Sequence, residues 1–212
     1  IIDTCIGCHA KDFGKVNIRR SDHTQAGIAC TNCHSIHKSP APRFLLARTQ
    51  PGVCYGCHAD VRAQFSMPSK HRVNEGFMEC TDCHNPHGAF APTWGMGQRP
   101  RMVAQAPTSE EACLKCHTDK RGPFLFEHPS VRVKGCETCH FPHGSTNSRL
   151  LRHPVVFTVC LECHNGADRF GTRNNGVPVQ SASHNMFDPR YRQCTTCHTR
   201  IHGSQADPFF LR

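Results

Sequence analysis

The residues of this chain that could do chemistry follow one pattern, Cys-x-x-Cys-His, which occurs eight times and uses all 16 cysteines. Two thiols at this spacing can form thioethers with the two vinyl groups of one haem, and the next histidine can ligate its iron. The pattern predicts eight haem c groups. The predicted attachment residues are Cys5, Cys8, Cys30, Cys33, Cys54, Cys57, Cys80, Cys83, Cys113, Cys116, Cys136, Cys139, Cys160, Cys163, Cys194 and Cys197, and the predicted proximal ligands are His9, His34, His58, His84, His117, His140, His164 and His198.

Zinc ribbons and disulfide scaffolds also use Cys-x-x-Cys pairs. Neither kind of site requires a histidine after every pair. With 17 histidines in 212 residues, chance would place a histidine at a given position only about 8% of the time. Eight occurrences after eight pairs therefore favour haem attachment over both alternatives.

The remaining histidines reveal four repeats, at approximately residues 1–40, 41–91, 92–148 and 149–212. Each repeat reads motif, lone histidine, motif, and a histidine three or four residues further on. A histidine three residues after a proximal ligand is poorly placed for the opposite face of the same haem, so we expect it to ligate another haem. The predicted distal ligands are His23, His37, His71, His87, His128, His143, His184 and His202.

Eight predicted distal histidines match eight predicted irons, which favours two histidines at every iron and leaves His153 unassigned. His153 could instead serve as a ligand while His184 sits on a loop, because residues 165–193 are rich in Gly, Asn and Ser. Either histidine could equally be a surface residue. Methionine is another possible axial ligand, but scattered methionines usually only pack; they are Met67, Met78, Met96, Met102 and Met186.

The elements that position these ligands must be built with few apolar residues. Hydrophobic residues make up 37% of the chain, and there are 16 glycines and 15 prolines. We therefore expect the haems to replace the usual apolar core, inside a single elongated body spanning residues 1–212. The predicted fold consists mostly of loops with short α-helices and little or no β-sheet. The chain without haem should be largely unfolded.

Local signals refine this prediction. Pro51 before Cys54 and the 108–111 capping box before Cys113 predict helix starts. Residues 85–107 and 165–193 read as loops, and a joint between two halves is expected near residues 88–108.

The formal net charge of +9 is no sign of a nucleic-acid partner once the cofactors are counted. Eight haems bring about sixteen propionates, which take the charge to roughly −7 in the ferrous state and roughly +1 in the ferric state. No run of apolar residues is long enough to span a membrane. The first motif begins at Cys5 and the first residue is not methionine, so we expect an exported protein whose signal has been removed.

The ligand set also predicts the chemistry. Catalysis at a haem needs an open axial position, whereas electron transfer favours an iron with both positions filled. The histidines suffice to close every site, so we predict an electron-transfer protein working at low potential rather than an enzyme. His153 leaves room for one open site.

The motif pattern resembles a known group. The form Cys-x-x-Cys-His-x-Pro-His-Gly at residues 80–88 and 136–144, alternating with plain motifs followed by a lone histidine, resembles the doubled-motif cytochromes. Within that group the whole chain is similar to the MtrA and DmsE type, the periplasmic cytochromes of outer-membrane porin–cytochrome conduits. That type carries ten haems, so eight motifs are closer to the octahaem versions.

This resemblance implies a wire for extracellular electron transfer, at the periplasmic face of the outer membrane or within it. The implied partners are a β-barrel porin, an outer-surface multihaem cytochrome and a periplasmic electron donor. Three alternatives remain: a free periplasmic shuttle, a subunit of an extracellular filament that self-associates head to tail, and a multihaem reductase. The apolar tail at residues 207–212 could dock a partner or cover the last haem.

Overall fold

The computed structural model describes residues 2–12, 18–39, 41–88, 112–164 and 188–211. Most of these residues lie in loops and turns. The α-helices are α1 (Ile2–His9), α2 (Asp22–Gln25), α3 (Gln50–Cys54), α4 (Ala59–Gln64), α5 (Pro129–Lys134), α6 (Val156–Leu161) and α7 (Cys194–Cys197), and the strands are β1 (Ser69–Lys70) and β2 (Gly144–Ser145). Short 3₁₀ helices cover Ile18–Arg20, Cys30–Asn32, Cys80–Asp82, Ala112–Lys115, Thr118–Lys120, Cys136–Thr138 and Pro189–Arg192. Pro42–Phe44 and Ser148–Leu150 are turns that contain residues with left-handed backbone conformation. The predicted class of loops and short helices with little sheet is confirmed.

The chain divides into two compact units. The first unit comprises residues 1–66 and 71–118 and contains the first five motifs, and the second comprises residues 67–70 and 119–212 and contains the last three. Within the second unit β1 and β2 pair antiparallel, with Ser69 opposite Ser145. The joint expected near residues 88–108 lies mostly outside the described residues. The single body over residues 1–212 stays a prediction.

Each Cys-x-x-Cys-His motif forms one helical turn. In the seven motifs from Cys30 onward, the backbone N–H of the histidine donates to the carbonyl of the first cysteine, at N–O distances of 2.8–3.1 Å. Residues four apart in a helical turn lie on the same face. The spacing therefore presents the first thiol and the imidazole on one side of the turn, where a single haem can meet both.

The helix that leads into the third motif starts as the sequence predicts. Thr49 caps α3 by accepting a hydrogen bond from the Gly52 backbone N–H at 3.3 Å, and Pro51 occupies the first turn. Proline is suited to this position because backbone N–H groups in the first turn have no intrahelical partner, so proline loses no hydrogen bond there. The predicted box at residues 108–111 lies outside the described residues, and Cys113 itself is in a 3₁₀ helix.

A conventional apolar core is almost missing from the described part of the chain. Its buried hydrophobic side chains are Phe65, Val73 and Ala112. Several large apolar side chains are exposed instead; they include Ile36, Phe44, Leu46, Phe141, Val155, Phe209 and Leu211. This distribution fits a fold whose apolar packing partners are haems.

No described helix has both the length and the hydropathy needed to cross a membrane.

Candidate haem sites

The structure brings ten of the predicted ligands together as five pairs of imidazole rings. Each pair combines a histidine that follows a Cys-x-x-Cys pair with a histidine from elsewhere in the chain. The pairs and the distances between ring centres are His58 with His23 (6.1 Å), His34 with His87 (6.1 Å), His117 with His71 (6.3 Å), His164 with His128 (6.2 Å) and His140 with His202 (6.4 Å).

These distances fit one iron between two rings. With metal–nitrogen bonds of about 2.0 Å and ring centres roughly 1 Å beyond each nitrogen, two imidazoles on opposite faces of one ion lie about 6 Å apart. Direct stacking of aromatic rings allows closer approach. Among the described residues no group of three or more His, Cys, Asp or Glu side chains could hold a metal ion. The donors are therefore arranged in pairs, unlike the four-ligand cluster of a zinc ribbon.

The pairs link neighbouring repeats in a constant way. A lone histidine meets the first motif of the next repeat, as His23 meets His58. The histidine that follows a second motif meets the second motif of the preceding repeat, as His87 meets His34 and His202 meets His140. Because each pair joins residues from two repeats, a haem held by it would tie those repeats together.

Three proximal histidines are oriented by backbone carbonyls. The Nδ1 atoms of His34, His140 and His198 lie 3.1, 2.9 and 2.6 Å from the carbonyl oxygens of Arg43, Arg149 and Phe209, respectively. A carbonyl can only accept, so the Nδ1–H donates and the Nε2 lone pair is left for a metal. The carbonyls fix the imidazole tautomer that haem ligation requires.

These carbonyls belong to segments that we call return segments, residues 42–46, 148–152 and 208–211. Each one runs back along its motif, and two of them do so with matching hydrogen bonds, Ser35 N–H to Phe44 C=O and Phe141 N–H to Leu150 C=O, both at 2.7 Å. All three place non-glycine residues in the left-handed region, at Arg43, Phe44, Arg149, Leu150 and Phe210. Such conformations cost energy and persist where surrounding contacts impose them.

Sequence reasoning missed these return segments. A weak signal was present, because Pro-Arg-Phe-Leu at 42–45, Ser-Arg-Leu-Leu at 148–151 and Pro-Phe-Phe-Leu at 208–211 follow their proximal histidines at similar spacing. The signal also explains the apolar tail. Phe209 and Phe210 bond back to His198 and Arg200, so the tail orients the last motif.

Two distal histidines are held in a related manner. His23 Nδ1 lies 3.1 Å from the carbonyl oxygen of Pro86, and His128 forms a hydrogen bond with the backbone of Ile201. Pro86 and Ile201 each precede a distal histidine, His87 and His202. In both cases the residue before one predicted distal ligand holds the ring of another.

Electrostatics favour neutral imidazoles at these sites. Burial is the largest cause that lowers the pKa of four of the histidines, with smaller contributions from neighbouring histidines and, at His202, from Lys120; the four are His84, His128, His164 and His202. A lowered pKa keeps the ring unprotonated at neutral pH, which leaves a lone pair for the metal.

The cysteines show which motifs are neighbours. The thiols of the first cysteines of consecutive motifs lie close enough for one to shift the pKa of the other, and the pairs are Cys5 with Cys30, Cys54 with Cys80 and Cys160 with Cys194. Burial raises the pKa of three second cysteines, which are also in electrostatic range of the following motif: Cys33 with Cys54 and Cys57, Cys83 with Cys113 and Cys116, and Cys139 with Cys163. Within each unit the motifs therefore neighbour one another in chain order.

His153, the histidine left over by the sequence pattern, has a clear local role. Its Nε2 lies 2.6 Å from Oε1 of Glu162, a residue inside the Cys160–Cys163 motif, and this bond lowers the pKa of the Glu162 carboxyl. Among the other predicted ligands, His184 lies outside the described residues. His37 and His143 stay predictions, as do the second ligands of the motifs that contain His9, His84 and His198.

One buried polar atom supports the presence of a cofactor. The Arg152 Nε is buried and has no hydrogen-bond partner within the described structure. Its guanidinium donates elsewhere to the Thr138 carbonyl at 3.3 Å and lies 5.4 Å from the centre of the Phe141 ring. Buried N–H groups are nearly always satisfied, so an acceptor is expected here, and a haem propionate beside the Cys136–His140 motif would supply it.

Comparison with known proteins agrees with this geometry. The family model for the doubled CXXCH motif matches residues 23–63, 71–122 and 128–169, which together make up more than half of the chain. The chain belongs to the doubled-CXXCH family of multihaem cytochromes. The family model for cytochrome c554 and c-prime matches residues 2–35 of this cytochrome. The resemblance indicated by the motif pattern is confirmed, and the doubled motifs indicate c-type haem binding.

The doubled-CXXCH cytochrome is also similar to an individual protein, the multiheme cytochrome MtrA of Shewanella baltica (strain OS185). The two share 34% identity over 204 residues, which is 94% of this chain and 56% of the relative. The chain thus spans a little over half the length of the relative that it matches.

Replacing Gly203, which follows the predicted ligand His202, with alanine should destabilise the fold. Gly203 has φ of +148°, and a Cβ there would overlap the ring of Phe124 far inside van der Waals distance. We expect a loss of stability of about 1–3 kcal/mol, measured by thermal unfolding. Gly76→Ala is the control, because φ there is +78° and nothing lies within 4 Å of an added Cβ. Equal losses in the two variants would contradict a role for the Phe124 contact.

Proposed function

We propose that this cytochrome transfers electrons along eight covalently bound haems and is the electron-carrying part of an outer-membrane porin–cytochrome conduit. The observation that carries the first statement is the set of five histidine pairs with ring centres 6.1–6.4 Å apart. Haems bound there supply one-electron chemistry at iron. A haem iron held by both histidines of such a pair would have no position left for a substrate, which favours an electron-transfer protein over an enzyme.

The chain's own residues set the conditions for transfer. The crossed histidine pairs tie one repeat to the next and so limit the separation of neighbouring sites. The contacts between cysteines of consecutive motifs support a series of neighbours in chain order within each unit. Histidine on both faces stabilises ferric iron more than a methionine–histidine pair does, so we expect low reduction potentials.

The number of haems follows from the motifs. All 16 cysteines are free of disulfides and available for thioethers. We propose that His37, His143 and His184 are the remaining second ligands, and that His153 is not an iron ligand but keeps its hydrogen bond to Glu162. Intact-mass measurement of the purified protein should then show eight haem increments.

The conduit role is supported by the motif resemblance and by the similarity to MtrA over 94% of the chain. It implies an exported protein at the periplasmic face of the outer membrane or within it. The proposed partners are a porin that sheathes the cytochrome, an outer-surface multihaem cytochrome that accepts electrons, and a periplasmic donor. No nucleic acid is involved.

Purification from membranes in mild detergent tests this role, with identification by mass of every protein that stays with the haem absorbance. A porin that co-elutes in fixed ratio is the expected result. A monomer without a porin would overturn the conduit role in favour of a periplasmic shuttle. A very large assembly of this chain alone would overturn it in favour of a filament.

A further inference from the structure

The first motif differs from three other motifs in what its histidine contacts. His9 is the last residue of α1, and its Nδ1 lies 2.6 Å from Oδ2 of Asp12. The backbone makes this contact possible, because the Asp12 N–H bonds to the His9 carbonyl at 3.3 Å and turns Asp12 back over the helix end. The proximal histidines His34, His140 and His198 bond backbone carbonyls instead.

A carboxylate and a carbonyl act differently on an imidazole. An ionised carboxylate can only accept, so the Nδ1–H of His9 donates to Asp12 in a charge-assisted hydrogen bond. Such a partner makes the imidazole a stronger electron-pair donor at Nε2, the atom that would bind the metal. A stronger donor stabilises ferric iron more than ferrous iron, and this lowers the reduction potential. A neutral carbonyl partner lowers the reduction potential to a smaller extent.

We propose that Asp12 is a positioning residue that lowers the reduction potential of the haem on His9 below those of haems whose proximal histidines bond backbone carbonyls. This inference rests on the proposed attachment of a haem at Cys5, Cys8 and His9. Reduction of a haem held there would add one electron and leave the Nδ1 proton on His9, so no proton or ligand would be released. The first haem of the series would then be the hardest of these to reduce.

The effect must come from the direct hydrogen bond. The side chains of His9 and Asp12 are 60% and 47% exposed, and water and salt screen charges that act through space. The chain offers a matched comparison, because Asp3 lies on the same helix and pairs with Arg19 at 2.7 Å. Asp3 is six residues before His9, roughly 9 Å along the axis. Neutralising Asp3 removes the same charge and leaves the His9–Asp12 bond intact.

The experiment is a potentiometric titration of the intact, haem-loaded protein and its variants, followed by the haem absorbance. Subtracting the parent curve from each variant curve isolates the haem that changes. In Asp12→Asn we expect one of the eight haems to become easier to reduce, with roughly a tenfold change in its ferric-to-ferrous ratio at a given applied potential, or about 59 mV. Asp12→Glu should recover most of this shift, and Asp3→Asn should leave the curve in place.

Each outcome bears on a separate statement. No shift in Asp12→Asn, or an equal shift in Asp3→Asn, overturns the role of Asp12. The intact mass of each variant reports haem attachment independently of potential. If the peptide containing Cys5 and Cys8 carries no haem in the parent protein, the proposed function itself fails at this motif. Attachment in all variants with unchanged potentials defeats the Asp12 inference alone.

Discussion

Replacing His87 with alanine should convert one low-spin haem into a high-spin haem that binds carbon monoxide when reduced. His87 faces His34 with ring centres 6.1 Å apart and planes within 18° of parallel. Without the His87 imidazole, the iron held by His34 loses its second axial ligand and gains an open position. We expect about one eighth of the haem absorbance to respond to carbon monoxide, against none in the parent protein. Absorption spectra of the reduced variant with and without the gas measure this.

His153→Ala is the matched control for this change. It also removes an imidazole, but His153 bonds Glu162 at 2.6 Å and is not assigned to an iron. We expect no carbon monoxide binding in that variant. If His87→Ala stays fully low-spin, the distal assignment is wrong. If His153→Ala binds carbon monoxide, His153 is an iron ligand. His143→Ala applies the same test to a ligand that so far rests on sequence.

Preventing haem attachment is expected to abolish the folded state. Only Phe65, Val73 and Ala112 are buried apolar side chains in the described part of the chain. Folding must offset a conformational entropy of about 1–2 kcal/mol for each backbone residue that it orders, and so small an apolar core cannot do that. In cofactor-dependent domains of this kind, binding free energy serves as folding free energy. The chain made without haem maturation should therefore show no cooperative unfolding transition.

Thermal and denaturant unfolding, followed by far-ultraviolet circular dichroism, measure this effect. The control is the haem-loaded protein from the same sequence, which should unfold cooperatively. A partial version replaces Cys160 and Cys163 with serine, so that one haem alone is lost. We expect that variant to be destabilised rather than unfolded, because the other motifs keep their haems. A cooperative transition in the haem-free chain would show that the polypeptide contains a sufficient core of its own.

Several features could be predicted from particular residues. The spacing from Cys30 to His34 specifies a single helical turn, because a hydrogen bond between residues i and i+4 closes it regardless of the rest of the fold. Thr49 and Pro51 likewise fix the start of α3. These features depend on residues that are close in sequence, so they can be predicted without knowing the fold. The scarcity of apolar residues predicted a fold of loops and short helices, since long helices and sheets each need an apolar face to bury.

Which histidine pairs with which motif could not be predicted from residues that are close in sequence. Counting histidines suggested two per iron, but it could not indicate that His23 serves the motif of His58 or that His202 serves that of His140. The paired residues lie between 35 and 62 positions apart, and no helical or strand period relates them.

The sequence by itself determined the kind of cofactor and the number of motifs, because thioether chemistry and proximal ligation depend on residues within one helical turn. Only the tertiary structure decided which imidazoles face each other, which carbonyls orient them, and that His153 bonds Glu162 while Asp12 bonds His9. Those outcomes depend on how the chain passes back over itself, through the return segments and the crossed repeats. The physical reason is that imidazole pairing and Nδ1 hydrogen bonding are decided by distances of a few ångströms between chain segments, which composition and spacing do not encode.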